Sequence, residues 1–252
     1  MKFIRWRENR DKRVYLLLCI ITLMIGMTCV FFWPVNLLKQ PTPILGFTMH
    51  YLSDSAQGWV AACFVLVWFV WALKGSSYST QRCLSLVAQM FILFLIANIL
   101  KLGIKDFTEI PRPYTTVMTQ HLLLPEPAHF YKLGVAQKLD VLNDMQSYIS
   151  HWRLESWKQH LDYAFPSGHT IFVTICALFF GSLFIEQKRY VSLGVLVLWA
   201  LGVAYSRLWL GMHSPIDLVG AVALVGGLYW CVPRHYSVER IKSLPLMNRE
   251  RS

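Results

Sequence analysis

Charge is scarce in this chain. Asp, Glu, Lys and Arg supply 15% of its 252 residues, where a soluble domain carries about a quarter. Six stretches, 14–33, 58–73, 84–100, 170–185, 191–206 and 218–232, contain none of the four. Cysteine is missing from the segments 34–57, 101–169 and 207–217 between them. Cys19, Cys29, Cys63, Cys83, Cys176 and Cys231 fall in or at the ends of the apolar stretches, so neither a disulfide framework nor a cysteine metal site is expected. His50, His121, His129, His151 and His160 are scattered without ligand spacing and His235 lies near the C-terminus. No metal and no other cofactor is expected from such a pattern. There is no internal repeat, which argues against a solenoid or a propeller.

What is present is apolar. Hydrophobic residues make up 55% and aromatics 14% of the chain, and the mean hydropathy is +0.43. Each uncharged stretch approaches the roughly 17–25 residues that cross a bilayer as a helix. The expectation is an all-α polytopic membrane protein with six transmembrane helices. A cleaved signal peptide is disfavoured for the first stretch, because it runs into F-F-W-P-V-N-L-L without a small-residue cleavage pattern.

The basic residues give the orientation. Lys2, Arg5, Arg7, Arg10, Lys12 and Arg13 precede the first span. Lys74 and Arg82 lie between the second and third, Lys188 and Arg189 between the fourth and fifth, and Arg234, Arg240, Lys242, Arg249 and Arg251 follow the sixth. By the positive-inside rule both termini are cytoplasmic. The net charge of +10 is then a topology signal with some affinity for anionic lipid. Nucleic acid is a poor partner for it, since the basic residues are split among separate loops. Nothing in the sequence names a protein partner.

The whole chain, 1–252, reads as one membrane-embedded domain. Residues 1–13 are a basic tail, and 34–57, with Pro34, Pro41, Pro43 and Gly46, read as an irregular external loop. The third helix is expected to continue past residue 100, placing Lys101 and Lys105 on one face. Residues 106–168 form the one sizeable external segment. Leu133, Leu139, Leu142, Met145 and Ile149 stand there at near-helical spacing, which predicts one or two amphipathic helices serving as a stabilising cap or a lid. Residues 233–252 are a basic cytoplasmic tail without the pattern of a packed element.

Three polar clusters flank these spans on the side opposite the termini. The first, 105–113, reads K-D-F-T-E-I-P-R-P and follows span three. The second, F-P-S-G-H-T at 165–170, opens span four. The third, S-R-L-W-L-G-M-H-S-P-I-D at 206–217, joins spans five and six. Each has a structural explanation by itself: a snorkelling lysine, an N-cap at Ser167, and a capping box formed by Ser214 and Asp217. Their shared side of the membrane changes the reading, because all three can meet. Two helix N-termini together with Lys105, Arg112 and Arg207 make an anion site, and Gly168 lets a phosphate approach the backbone. His169 and His213 add a proton donor and a nucleophile that titrate near neutrality. Asp217, four residues after His213, is placed to orient it.

At these residues the chain resembles the type 2 phosphatidic acid phosphatase superfamily, whose signature is K-x6-R-P, then P-S-G-H, then S-R-x5-H-x3-D. Lys105, Arg112 and Pro113 fill the first part, Pro166 to His169 the second, and Ser206, Arg207, His213 and Asp217 the third. The resemblance implies that His213 forms a phosphohistidine, that Asp217 orients it and that His169 protonates the departing oxygen. Lys105, Ser167, Gly168, Arg112 and Arg207 would hold the phosphoryl oxygens without a metal. It implies lipid phosphate substrates such as phosphatidylglycerophosphate, phosphatidic acid, diacylglycerol pyrophosphate and undecaprenyl pyrophosphate. It further implies a bacterial inner membrane with the site on the periplasmic side.

Two other readings are open at this point. A phosphotransferase would use the same residues and hand the phosphoryl group to another acceptor. A transporter suits six spans, but the span cores lack the midplane charges such proteins usually carry. The superfamily also includes vanadium-dependent haloperoxidases, which use a related anion site, and the membrane spans make them a poor match.

Overall fold

The computed structural model describes residues 2–76 and 78–231, with side chains described from residue 14 onward. Expected features of the tail at 233–252 therefore lie outside the described residues. Among the described residues every regular element is helical: α1 (Lys2–Phe32), α2 (Pro43–Asp54), α3 (Gly58–Leu73), α4 (Thr80–Thr108), α5 (Pro113–Gln120), α6 (His129–Lys132), α7 (Val135–Asp144), α8 (His151–Lys158), α9 (Gly168–Glu186), α10 (Tyr190–Trp209) and α11 (Pro215–Cys231), with one 3₁₀ turn at Met145–Ser147.

Four regions, on α1, α4, α9 and α10, are long and apolar enough to cross a membrane alone. α2 and α3 pass the same test only as a pair, bent by 75°, and α11 is apolar but shorter. Helix α9 is the axis of the bundle, packing against α1, α3, α4, α10 and α11. Its apolar residues point inward on every side, as Ile175, Cys176, Ala177, Leu178 and Phe180 show by being wholly buried. The outer helices instead turn Leu16, Leu23, Val30, Leu66, Leu84, Phe91 and Leu198 outward. Water would penalise such a surface and hydrocarbon does not.

Two expectations need correction. Residues 34–57 are not an irregular loop throughout, since α2 occupies 43–54. The prolines that looked like breakers start it: Pro43 takes the first helical position, where no N–H is needed, and the Thr42 hydroxyl caps Leu45 N at 3.4 Å. The external segment holds more than the one or two amphipathic helices expected, with Leu139, Leu142 and Met145 lying on α7 and the 3₁₀ turn after it. It is cut into the short helices α5 to α8, because Pro125, Pro127 and Gly134 interrupt any longer run. The basic stretch at 2–13 continues directly into α1.

The short helices wrap a second apolar core, with Tyr114, Phe130, Leu142, Met145 and Trp157 packed against Trp209, Leu210 and Met212. This core grips the turn after α10. Trp157 Nε1 donates to Leu210 O at 2.6 Å, Tyr114 N to Gly211 O at 3.1 Å, and Arg153 Nε to Trp209 O at 3.2 Å. Gly211 has φ +70, and a Cβ there would lie 2.6 Å from Leu37, so only glycine fits. The clamped turn delivers residue 213.

Candidate active site

Lys105 lies in the last turn of α4 with its buried ammonium directed to the Asp162 carboxylate, Nζ to Oδ2 2.8 Å, and to the Tyr163 carbonyl. Arg112 caps α5 and is equally buried. Its Nη2 meets Asp162 Oδ1 at 2.5 Å, Nε donates to Asp162 O at 2.7 Å, and Nη1 donates to Met212 O at 3.0 Å. The same Nη1 lies 3.3 Å from His213 Nε2. One carboxylate thus bridges two cations that the sequence assigns to phosphate. That side chain remains 56% exposed, while the two cations are buried behind it.

Ser167 caps α9 as expected, its hydroxyl accepting Thr170 N at 3.4 Å, and Ser167 N donates to Asp217 O at 3.1 Å. This backbone bond ties the starts of α9 and α11 together. Gly168 and His169, the first two residues of α9, have N–H groups that no carbonyl of that helix can accept. The expectation of two open helix N-termini is corrected at α11. There Asp217 Oδ2 accepts Ser214 N at 2.7 Å and the Ser214 hydroxyl at 3.1 Å, so a carboxylate already occupies the start of that helix.

His213 and Asp217 approach without a hydrogen bond, Nδ1 to Oδ2 being 3.5 Å, and Nδ1 and Asp217 Oδ1 have no partner. Arg207 is fully buried. It donates from Nη1 to the Ser53 hydroxyl on α2, while Nε and Nη2 find no acceptor. His169 Nε2 is also buried without a partner. Four of the signature side chains are therefore left with unmet hydrogen-bonding capacity in one region, which is rare in a packed interior.

Sequence reasoning set His160 aside as a scattered loop histidine. The structure brings it to the site, its ring 5.3 Å from that of His169. Asp162 was not singled out at all. Its one sequence signal is weak, a lone carboxylate shortly before P-S-G-H. His50 stays apart from the site, bonded to Ser156 Oγ at 3.1 Å.

The charges set protonation. Burial holds His213 well below the ordinary imidazole range, and the positive charges of Arg112 and Arg207 push it the same way. His160 is depressed by burial and then by Arg207 and Arg112. Burial alone would raise Asp162, but Arg112 and Lys105 outweigh it and hold the carboxyl below its usual value.

A cavity of about 570 Å³ opens here. Lys105, Arg112, Asp162, Gly168, His169 and His213 line its polar end, and Ala61, Val65, Phe94, Ala97 and Phe172 from α3, α4 and α9 line its apolar end. Among the described residues no three His, Cys, Asp or Glu side chains converge as a metal site would require.

Residues 84–241 match the model of the PAP2 superfamily. The chain belongs to that superfamily. Over 176 residues it is 32% identical to phosphatidylglycerophosphatase B of Escherichia coli (strain K12), covering 66% of this chain and 67% of that one. The Haemophilus influenzae phosphatidylglycerophosphatase B is 31% identical over 55% of this chain and 60% of its own. A lipid A 4'-phosphatase of Bacteroides thetaiotaomicron is 45% identical over a shorter stretch, 26% of this chain and 27% of its own. With its apolar bundle, this PAP2 protein is a membrane lipid phosphatase, a phosphoric ester hydrolase.

A substitution on α11, one turn after Asp217, tests how the PAP2 signature is held. A Cβ at Gly220 of α11 would lie 2.2 Å from the ring of Phe165, which directly precedes Pro166 and Ser167. Gly220→Ala must displace that ring and with it the start of α9. The expected result is a loss of about 1–3 kcal/mol, as for overpacking elsewhere, together with reduced phosphatase activity. Denaturation and phosphate release in the same detergent check both.

Proposed function

We propose that this protein removes terminal phosphate from lipid phosphomonoesters or lipid diphosphates through a phosphohistidine on His213. The observation that carries the proposal is His213 itself, with Nε2 3.3 Å from Arg112 Nη1 at one end of a cavity whose other end is apolar. His213 Nε2 attacks phosphorus, an N–P bond forms, and the P–O bond to the lipid breaks. The lipid oxygen takes a proton from His169. Water then attacks phosphorus as His169 accepts its proton, the N–P bond breaks, and inorganic phosphate leaves. Asp217 shortens its 3.5 Å approach to Nδ1 as the ring gains positive charge, since such contacts tighten on substrate binding.

Lys105, Arg112 and Arg207 supply charge for the phosphoryl oxygens, with the N–H groups of Gly168 and His169. Lys105 and Arg112 change partner from Asp162 to phosphate. The lipid tail lies along the apolar wall of α3, α4 and α9. We further assign six spans to one domain in a bacterial inner membrane, counting the bent pair and α11, with both termini cytoplasmic and the site periplasmic. The distribution of basic residues between the spans supports that orientation.

The test is phosphate release by detergent-purified protein, with EDTA present, from phosphatidylglycerophosphate, phosphatidic acid and undecaprenyl diphosphate. Release that persists in EDTA and stops with vanadate is expected, vanadate imitating the transferring phosphate. Strong inhibition by EDTA would overturn the metal-free step. No release from any of the three by folded protein would overturn hydrolysis.

A further inference from the structure

Arg153 is a buried cation outside the active site. It is 2% exposed, and neither it nor Lys39 forms an ion pair among the described residues. Its acceptors are all main-chain carbonyls. Nη1 donates to Leu37 O at 2.6 Å and to Lys39 O at 2.9 Å, and Nε donates to Trp209 O at 3.2 Å. The guanidinium carbon stands 4.3 Å from the centroid of the Trp209 ring. These bonds fasten residues 37–39 to the turn after α10 and use Nε and Nη1. The two N–H groups of Nη2 have no acceptor among the described residues. Burial lowers the pKa to about 10, opposed by Tyr205 and by no carboxylate, so the group is charged at neutral pH. A buried cation of this kind is costly unless an anion compensates it.

Arg153 lines a cavity of about 360 Å³ that shares no residue with the catalytic cavity. Lys39 and Arg153 supply its cations, and Phe32, Leu45 and Tyr205 supply an apolar wall. The rings of Phe32 and Tyr205 are 4.9 Å apart. Phe31 and Ile44, next to the wall residues in the chain, are exposed, so the wall runs out onto the surface that the bundle turns to hydrocarbon. Two cations without acid partners, beside an apolar wall that continues onto a lipid-facing surface, match a lipid with a negatively charged head. We propose that this cavity holds one anionic phospholipid from the leaflet on the active-site side. Its phosphate sits on Arg153 Nη2 and Lys39, and an acyl chain follows Phe32, Leu45 and Tyr205. Because Arg153 Nε holds Trp209 O, the bound lipid steadies the turn that delivers His213.

The structural alternative is an arginine that only clamps two loops. Full-length protein in a neutral detergent, titrated with phosphatidylglycerol and with phosphatidylcholine of the same acyl chains, separates the two. The wild type is expected to bind phosphatidylglycerol about tenfold or more tighter, the size of one charge-assisted contact. Lys39→Glu, at an exposed position, should lose that preference. Leu45→Glu should lose it too, and it keeps the fold, because a carboxylate three residues after the Thr42 cap suits the start of α2. Equal affinities in the wild type would overturn the proposal, as would a preference that survives in both variants. Glycerophosphoglycerol, the same headgroup without chains, should not displace the lipid at equal concentration. Displacement would make this a site for soluble anions and overturn its assignment to lipid.

Vanadate affinity reads the effect on the turn. Linkage between the two sites should make vanadate bind about fivefold tighter in phosphatidylglycerol than in phosphatidylcholine, although the negative surface of the first lipid works against an anion. Lys39→Glu should show no such gain. A wild-type affinity that is the same in both lipids would overturn the coupling. This arm rests on the phosphate site proposed above. Vanadate that binds in neither lipid would overturn that site, with the lipid titration still deciding this one.

Discussion

His213→Ala is expected to abolish phosphoenzyme formation and to lower turnover by about 10⁴-fold or more, the loss typical of removing a nucleophile from a group that acts as a unit. The reason is positional. Nε2 of His213 faces Arg112 at 3.3 Å, and the turn that carries it is fastened by Trp157, Tyr114 and Arg153, so no other imidazole can take its place. The check is a labelled substrate quenched in base, where a phosphohistidine survives, and then exposed to acid, where it hydrolyses. His169→Ala separates the two histidines. With p-nitrophenyl phosphate, whose leaving group needs no proton, it should form the phosphoenzyme and then stall, because its second step lacks a base. Labelled phosphoenzyme in the His213 variant would refute the assigned nucleophile.

Arg207→Met is expected to split activity from stability. Arg207 is fully buried with one N–H group on Ser53 and two nitrogens unpartnered. A buried cation without its anion is costly, and replacing it with an apolar side chain of similar length removes that cost. The ligand-free variant should therefore melt at or above the wild-type temperature. Turnover should fall by about 10²–10³-fold, as when an electrostatic donor to the transition state is lost. Vanadate at about 100 times its Kd should stabilise the wild type by about 2.7 kcal/mol and leave the variant almost unmoved. Scanning calorimetry in detergent with and without vanadate reads both effects. A variant that melts far lower and still responds to vanadate would make Arg207 a structural residue held by α2.

The local part of this site was legible because its signals are local. Ser167 capping α9, and Ser214 with Asp217 capping α11, span three residues each, and a capping pattern of that length is written directly in the chain. The apolar runs showed where helices form, since hydropathy over some twenty residues does not depend on what packs against them. The spacing of Lys105 and Arg112 across a proline turn was likewise readable. Helix α2 was misread because Pro34, Pro41 and Pro43 fall close together, and only packing against α8 and α10 shows that the last of them opens a helix.

The sequence by itself determined that the protein is helical and membrane-embedded, and it determined which residues of the signature are present. Only the tertiary structure decided what those residues touch. Asp162 pairs with Lys105 and Arg112, 57 and 50 positions upstream, and Arg207 reaches Ser53 on α2, 154 positions away. His160 comes to His169 because the second core folds the external segment back over the bundle. Helical periodicity reports the environment of a face and carries no record of its partner. A lone aspartate or histidine in a loop has no period at all, so its place at the site follows from packing alone.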